Sequence, residues 1–211
     1  MDKYEWLWVV LLLLSVGVAF YYYPQMPARM ATHWNFEGEA NGYSSRFVGV
    51  FLFPMTMLIM AVLFLVIPRI DPLKNNIKGF LVYYQRFVTI LLIFLMVVFL
   101  QTFLWNLGGG LSVRFVVPVG IGILFYYSGA LCLRAKRNWF IGIRTPWTLS
   151  SDKVWKKTHQ LGGRLFQIAG VLAVVGAFLG KYALYLVIVP VISLSIFIVF
   201  YSYFVYKKEK R

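Results

Sequence analysis

Six stretches of this chain run for many residues with almost no charge. They are residues 6–23, 47–67, 87–105, 115–133, 165–179 and 182–206. A helix that crosses a bilayer needs about 20 predominantly apolar residues, and all six runs reach or approach that length. The fifth is short and is expected to borrow residues 161–164 as its first turn, with Arg164 snorkelling to the headgroups. The sixth is long and contains Pro190, which predicts tilt or a kink. Only Gly180 and Lys181 separate the last two runs, which predicts a tight antiparallel hairpin.

Composition agrees with this reading. Hydrophobic residues make up 61% of the 211 positions and charged residues only 13%, with a mean hydropathy of +0.75. A soluble domain carries roughly 25% charged residues, so a soluble globular chain and a disordered one are both excluded. The flank before the first run (Met1, Asp2, Lys3, Tyr4, Glu5) is not positive, and the run ends in Tyr21, Tyr22, Tyr23 and Pro24. No small-residue cleavage site stands there, so this run is expected to be a retained span rather than a signal peptide.

The 21 Lys and Arg against 7 Asp and Glu give a net charge of +14. With six crossings, 17 of the 21 fall on one side, in the N-terminus, the 68–86 and 134–164 loops and the tail. The positive-inside rule then places both termini in the cytoplasm. The charge sets topology on this reading, and no direct nucleic-acid partner is expected. Aromatic residues at span ends, among them Trp6, Trp105 and Tyr206, fit interfacial belts. No ionisable side chain falls mid-span, which disfavours an ion-coupled transporter. The most polar groups there, Gln101 and Gln167, are expected to bond between helices. The small residues Ala169, Gly170, Ala173, Gly176, Ala177 and Gly180 read as a close-packing stripe. Cys132 reads as an apolar packing residue.

The candidate site residues fall in two loops. The outer loop, residues 24–46, contains a possible extended piece over 32–36 and turn signals at Gly38 and Asn41-Gly42. Trp34, Phe36 and Tyr43 are expected to rest on the membrane interface. His33, Glu37 and Glu39 are weak metal-ligand candidates, lacking a second nearby histidine. The ligand-binding candidates of this loop are His33, Trp34, Asn35, Gly38, Asn41, Gly42 and Tyr43. In the inner loop, residues 134–164, Thr145 precedes a proline and should be extended. Ser150 is the expected helix N-cap, with Asp152 in the first turn. Val154, Trp155, Thr158, Leu161 and Leu165 share one helical face, while Lys153, Lys156, Lys157, Gln160 and Arg164 share another. That pattern predicts a basic amphipathic helix lying on anionic headgroups before the fifth span. No catalytic residues and no cofactor are expected.

Pro27, then Thr32-His33-Trp34-Asn35, Gly38 and Asn41 through Ser45, resemble the short N-terminal module of the SdpI family. Asn138 through Leu149, followed by Val154-Trp155-Lys156-Lys157-Thr158-His159, resemble that family's C-terminal signature. The resemblance implies an all-α integral membrane protein, a bundle of six transmembrane helices with N-in/C-in topology. It divides into a module over 1–110 and a second over 111–211. It further implies an immunity protein against a secreted membrane-active toxin peptide that also holds a cytoplasmic autorepressor at the membrane. The docking candidates are then Asn138, Phe140, Gly142, Arg144, Thr145, Pro146, Trp147, Trp155, Lys156, Lys157 and His159. A transporter or channel for an uncharged solute, and a membrane-embedded metal-dependent enzyme, are the alternatives.

Overall fold

The computed structural model describes residues 2–35, 37–110 and 112–210, with Lys181 by its backbone alone. Phe36, expected at the interface, and Arg211 of the tail lie outside the described residues. Six long helices account for most of the chain: α1 (Lys3–Tyr22), α2 (Arg46–Ile70), α4 (Leu81–Asn106), α5 (Val113–Cys132), α7 (Asp152–Gly176) and α8 (Tyr185–Glu209). Two short ones, α3 (Lys74–Lys78) and α6 (Pro146–Ser150), lie in the connections. The described residues are not all helical. The strands β1 (Arg29–Trp34) and β2 (Ala40–Ser45) form an antiparallel hairpin between α1 and α2.

Local chemistry sets the helix starts. Asp2 caps α1, accepting from the backbone N–H of Tyr4 at 2.9 Å and Glu5 at 3.0 Å, and the Glu5 carboxylate accepts from the Asp2 N–H in return. Ser45 caps α2 through Val48 N–H. The cap of α7 is Ser151, which accepts from Val154 N–H, and not Ser150, the last residue of α6.

Five helices, α1, α2, α4, α5 and α8, are long and apolar enough to cross a membrane. Their outward faces are apolar throughout, as at Phe20, Ile59 and Ile192, each more than half exposed. Water would not tolerate a surface of that kind; hydrocarbon does. α7 fails the same criterion because its first third is charged. The expected interfacial helix and the fifth apolar run are one continuous helix, since nothing between Gln160 and Leu165 breaks it. Its apolar N-terminal face packs inside the protein: Val154, Trp155 and Thr158 are buried. The link from α7 to α8 is also longer than expected, covering residues 177–184 with a short 3-10 turn at Gly180–Tyr182. Gly180 sits in that turn, with a positive φ of 57° and open space around it, so it drops out of the packing stripe. α8 continues through Pro190 without interruption.

The N-terminal helices α1, α2 and α4 pack on one another around two cores. One joins Trp8, Met57, Ala61, Tyr84, Val88 and Leu92 and reaches Leu131 and Ile141. The other joins Ala19, Met26, Met30, Val50, Phe99 and Phe103 under the hairpin. Trp8 takes its indole N–H to Thr89 Oγ1 at 2.8 Å, which pairs a buried donor inside an apolar core. α5 packs along α7 through facing glycines. A Cβ on Gly170 would lie 2.5 Å from Gly122 O, and one on Gly163 would lie 2.8 Å from Gly129 O. Each pair is seven residues apart on its helix, two turns, so both contacts fall on one face.

The long helices alternate between two ends. At the basic end, Arg69 pairs with Glu5 at 3.2 Å, Asp71 accepts from Trp139 N–H at 2.9 Å, and Ser151 donates to Glu209 at 2.9 Å. The N-terminus, the α2–α4 connection, the α5–α7 connection and the C-terminus meet there. At the hairpin end, Asn106 bonds Ala31, Trp34 meets Trp105 edge-on, and Phe115 meets Phe178.

Candidate functional site

The hairpin end is a polar cap on an apolar stem. Its turn is at Asn35–Glu39: Glu39 N–H donates to Asn35 Oδ1 at 2.8 Å, Asn35 N–H to Glu39 O at 2.9 Å, and Gly38 takes a φ of 78°. Asn41-Gly42, the expected second turn signal, lies in β2 instead. Gly42 faces His33, where a Cβ would come 2.7 Å from the His33 Cβ. The expected extended piece thus begins earlier, at Arg29, and ends at Trp34.

Buried Met30 and Ala31 fix the hairpin to the stem. Gly49 leaves room for Met30; a Cβ there would sit 2.8 Å from its sulfur. Asn106, at the end of α4, donates to Ala31 O at 3.1 Å and accepts from Ala31 N–H at 2.8 Å, taking the place of a third strand. Replacing Asn106 with alanine leaves both buried Ala31 groups unpaired, at a cost of about 2–3 kcal/mol. The N106A chain is expected to be cut faster at Glu37 and Glu39 by a glutamate-specific protease, while the helices stay protected. Unchanged cleavage would refute this anchoring role.

His33, Asn41 and Tyr43 are exposed, and Trp34, Asn35, Gly38 and Gly42 are half-buried. His33 Nδ1 bonds Asn41 Oδ1 at 2.6 Å, and the Arg29 guanidinium sits over the Tyr43 ring at 5.0 Å. Asn35 Nδ2 donates to Glu39. Among the described residues no three His, Cys, Asp or Glu converge as metal ligands. Behind β1, a cavity of about 240 Å³ opens between the hairpin and the tops of α4 and α5. No signal in the sequence pointed to Arg114 or Thr102, which line it.

The basic end is a lobe knotted by its own hydrogen bonds. Asn138 is fully buried. Its Oδ1 accepts from the N–H groups of Phe140 and Ile141, and its Nδ2 donates to Lys136 O and Ile141 O. Thr145 and Thr148 form a capping box for α6, and Thr145 Oγ1 meets Ser202 Oγ of α8 at 3.0 Å. Trp155 donates from its indole to Ala135 O at 2.9 Å and stacks on His159. His159 uses both ring nitrogens: Nε2 accepts from Ile143 N–H at 2.9 Å, and Nδ1 donates to Trp155 O at 2.9 Å. That pattern requires the neutral imidazole, and burial pushes its pKa down to about 4. Gly142, with φ at 111°, brings the chain against His159 Nε2, where a Cβ would overlap it.

The inner-loop candidates therefore split. Asn138, Thr145, Trp155 and His159 are buried, and Trp147 is half-buried edge-on to Tyr203. Phe140, Gly142, Arg144, Pro146, Lys156 and Lys157 are exposed, together with Trp139. Arg137, half-buried, pairs with Asp152 at 2.8 Å and donates to Leu149 O. The basic face expected against headgroups is exposed. The apolar face expected beside it in lipid is instead buried in protein.

Apolar outward faces, a capped hairpin at one end and a rigid basic lobe at the other define a multi-pass helical membrane protein. Residues 134–202 match the SdpI/YfhL protein family, and residues 10–58 match a domain of unknown function (DUF1648). The chain is 28% identical to the Immunity protein SdpI of Bacillus subtilis (strain 168) over 201 residues, covering 95% of this chain and 94% of that one. No solved structure matches this chain.

Proposed function

We propose that the protein is an immunity protein that protects its cell from a secreted, membrane-active toxin peptide. The similarity to an immunity protein along 95% of the chain carries this reading. In it, all six long helices cross the bilayer, and α7 enters the hydrocarbon only after Arg164. The four segments that meet at the basic end hold most of the Lys and Arg, so that end is cytoplasmic and both termini lie inside. The hairpin end then faces the toxin. His33, Asn41 and Tyr43 supply its exposed polar and aromatic contacts, on a hairpin braced by Asn106.

The basic lobe faces anionic lipid and, in the signalling part of this reading, a cytoplasmic repressor. Docking falls to Trp139, Phe140, Arg144, Lys156 and Lys157, because Asn138, Thr145, Trp155 and His159 are consumed in holding the lobe together. Expression of the chain in a toxin-sensitive cell is expected to restore survival on exposure to the cognate peptide. Sensitivity unchanged at normal membrane abundance would refute immunity. The double substitution Lys156→Ala/Lys157→Ala is expected to keep protection while releasing the repressor from the membrane. Full recruitment by this variant would remove the docking assignment and leave immunity standing.

A further inference from the structure

The cavity behind β1 has two buried donors with nothing to bond. Arg114 Nε and Trp34 Nε1 have no hydrogen-bond partner among the described residues, though both atoms are shut off from solvent. A buried donor left unpaired costs free energy, the more so when it is charged. Arg114 stands in the first turn of α5, where a cation meets the positive end of the helix dipole and the turn itself holds no acidic residue. Ser112 makes no side-chain cap there. The pocket is thus short of an anion with acceptor oxygens.

The remaining lining narrows the class of ligand. Phe53, Val98, Val116, Val117 and Leu184 form an apolar wall. Thr32, His33, Asn35, Gln101 and Thr102 bring polar groups around the same space. At about 240 Å³ the cavity is smaller than the roughly 300–1,000 Å³ that encloses a whole drug-sized ligand, so it takes the end of a molecule. A bare acyl chain would leave Arg114 Nε and Trp34 Nε1 unpaired, whereas a peptide terminus brings acceptor oxygens to them.

We propose that this pocket captures the C-terminal carboxylate and last apolar side chain of a peptide arriving at the hairpin end. The Arg114 guanidinium and the Trp34 indole N–H hold the carboxylate oxygens, and the apolar wall takes the side chain. The proposal rests on the immunity reading for the source of the peptide, and its binding chemistry is testable apart from it.

The test uses the purified full chain in nanodiscs, with the pentapeptide acetyl-Gly-Ser-Ala-Val-Leu as free acid or C-terminal amide, read by indole fluorescence. The acid is expected to bind saturably and at least tenfold more tightly than the amide. Arg114→Gln should erase that difference, and Arg114→Lys should recover part of it. Trp34→Phe keeps the ring against Trp105 and should weaken the acid several-fold, which covers the case of Arg114→Gln failing to fold. Equal binding of acid and amide, absence of saturable binding, or decanoate binding as well as the acid with the same dependence on Arg114 would each overturn the proposal. Survival of toxin-treated cells expressing the unsubstituted chain separates the two readings: protection without carboxylate binding removes the pocket and leaves immunity in place.

Discussion

Gly170→Leu is expected to separate α5 from α7 and to lower the thermal stability of the protein sharply. At this position a Cβ already lies 2.5 Å from Gly122 O and 2.6 Å from Tyr126 N. Both obstacles are backbone, so no rotamer change relieves them. The helices must move apart along the whole contact, because the Gly129–Gly163 approach lies two turns away on the same faces. Lipid supplies no hydrophobic force to hold helices together, so close packing is what joins them. Overpacking costs typically 1–3 kcal/mol and occasionally more, against a total stability of about 5–15 kcal/mol. Gly170→Leu belongs at the upper end. Gly176→Ala should cost less, since its Cβ would meet Leu186 Cβ at 2.9 Å and Ala183 O at 3.2 Å, looser approaches than those at Gly170. Gly17→Ala meets nothing within 4 Å and should be neutral or slightly stabilising. Thermal unfolding in detergent should rank the three in that order. Equal midpoints for Gly170→Leu and Gly17→Ala would show that the α5–α7 contact does not hold the bundle.

The apolar runs were legible because a bilayer demands length and apolarity together, and residues 47–67 or 87–105 satisfy both without ambiguity. The small-residue stripe of α7 was legible for the same kind of reason. Its partner on α5 was not, because Gly122 and Gly129 sit in an apolar run where a glycine announces no particular neighbour. At the hairpin end, Asn41-Gly42 carries a strong local turn signal, yet the turn forms at Asn35–Glu39. Gly42 is needed in β2 as a gap for His33, and a tertiary contact of that sort outweighs a dipeptide preference.

The basic loop misled in an instructive way. Asn138, Thr145 and His159 are polar residues in a charged segment, and such residues read as exposed and available for partners. Each is instead paired inside the lobe, satisfying backbone groups that the irregular path of residues 136–145 leaves open. That internal pairing uses side chains of the very segment that carries the resemblance. It leaves a short exposed set, from Trp139 to Lys157, for recognition.

His159 gives the second large effect, a loss of stability in mild acid. Its folded pKa of about 4 lies below the ordinary 6.5 because burial penalises the charged ring, with the Trp155 carbonyl offsetting this in part. Below pH 6.5 the unfolded chain takes up a proton that the folded chain refuses, so stability is fully present above that value and declines as pH falls toward 4. At about 1.4 kcal/mol per pKa unit, the decline between pH 7 and pH 5 is roughly 2 kcal/mol, in a range where ordinary carboxylates remain ionised. Protonation also turns Nε2 from an acceptor into a donor facing the Ile143 N–H, and two donors in contact break the tie between α7 and residue 143. The lobe should therefore open first. Hydrogen exchange at the amides of Ile141, Gly142 and Ile143 is expected to rise between pH 7 and pH 5, after correction for intrinsic rates, while amides near Val88 and Leu92 in α4 stay protected. His159→Gln removes the titrating group, lowers stability at pH 7 and should flatten the pH dependence of the melting midpoint over this range. A midpoint that falls equally steeply with pH in H159Q and in the unsubstituted chain would assign the acid sensitivity to other groups.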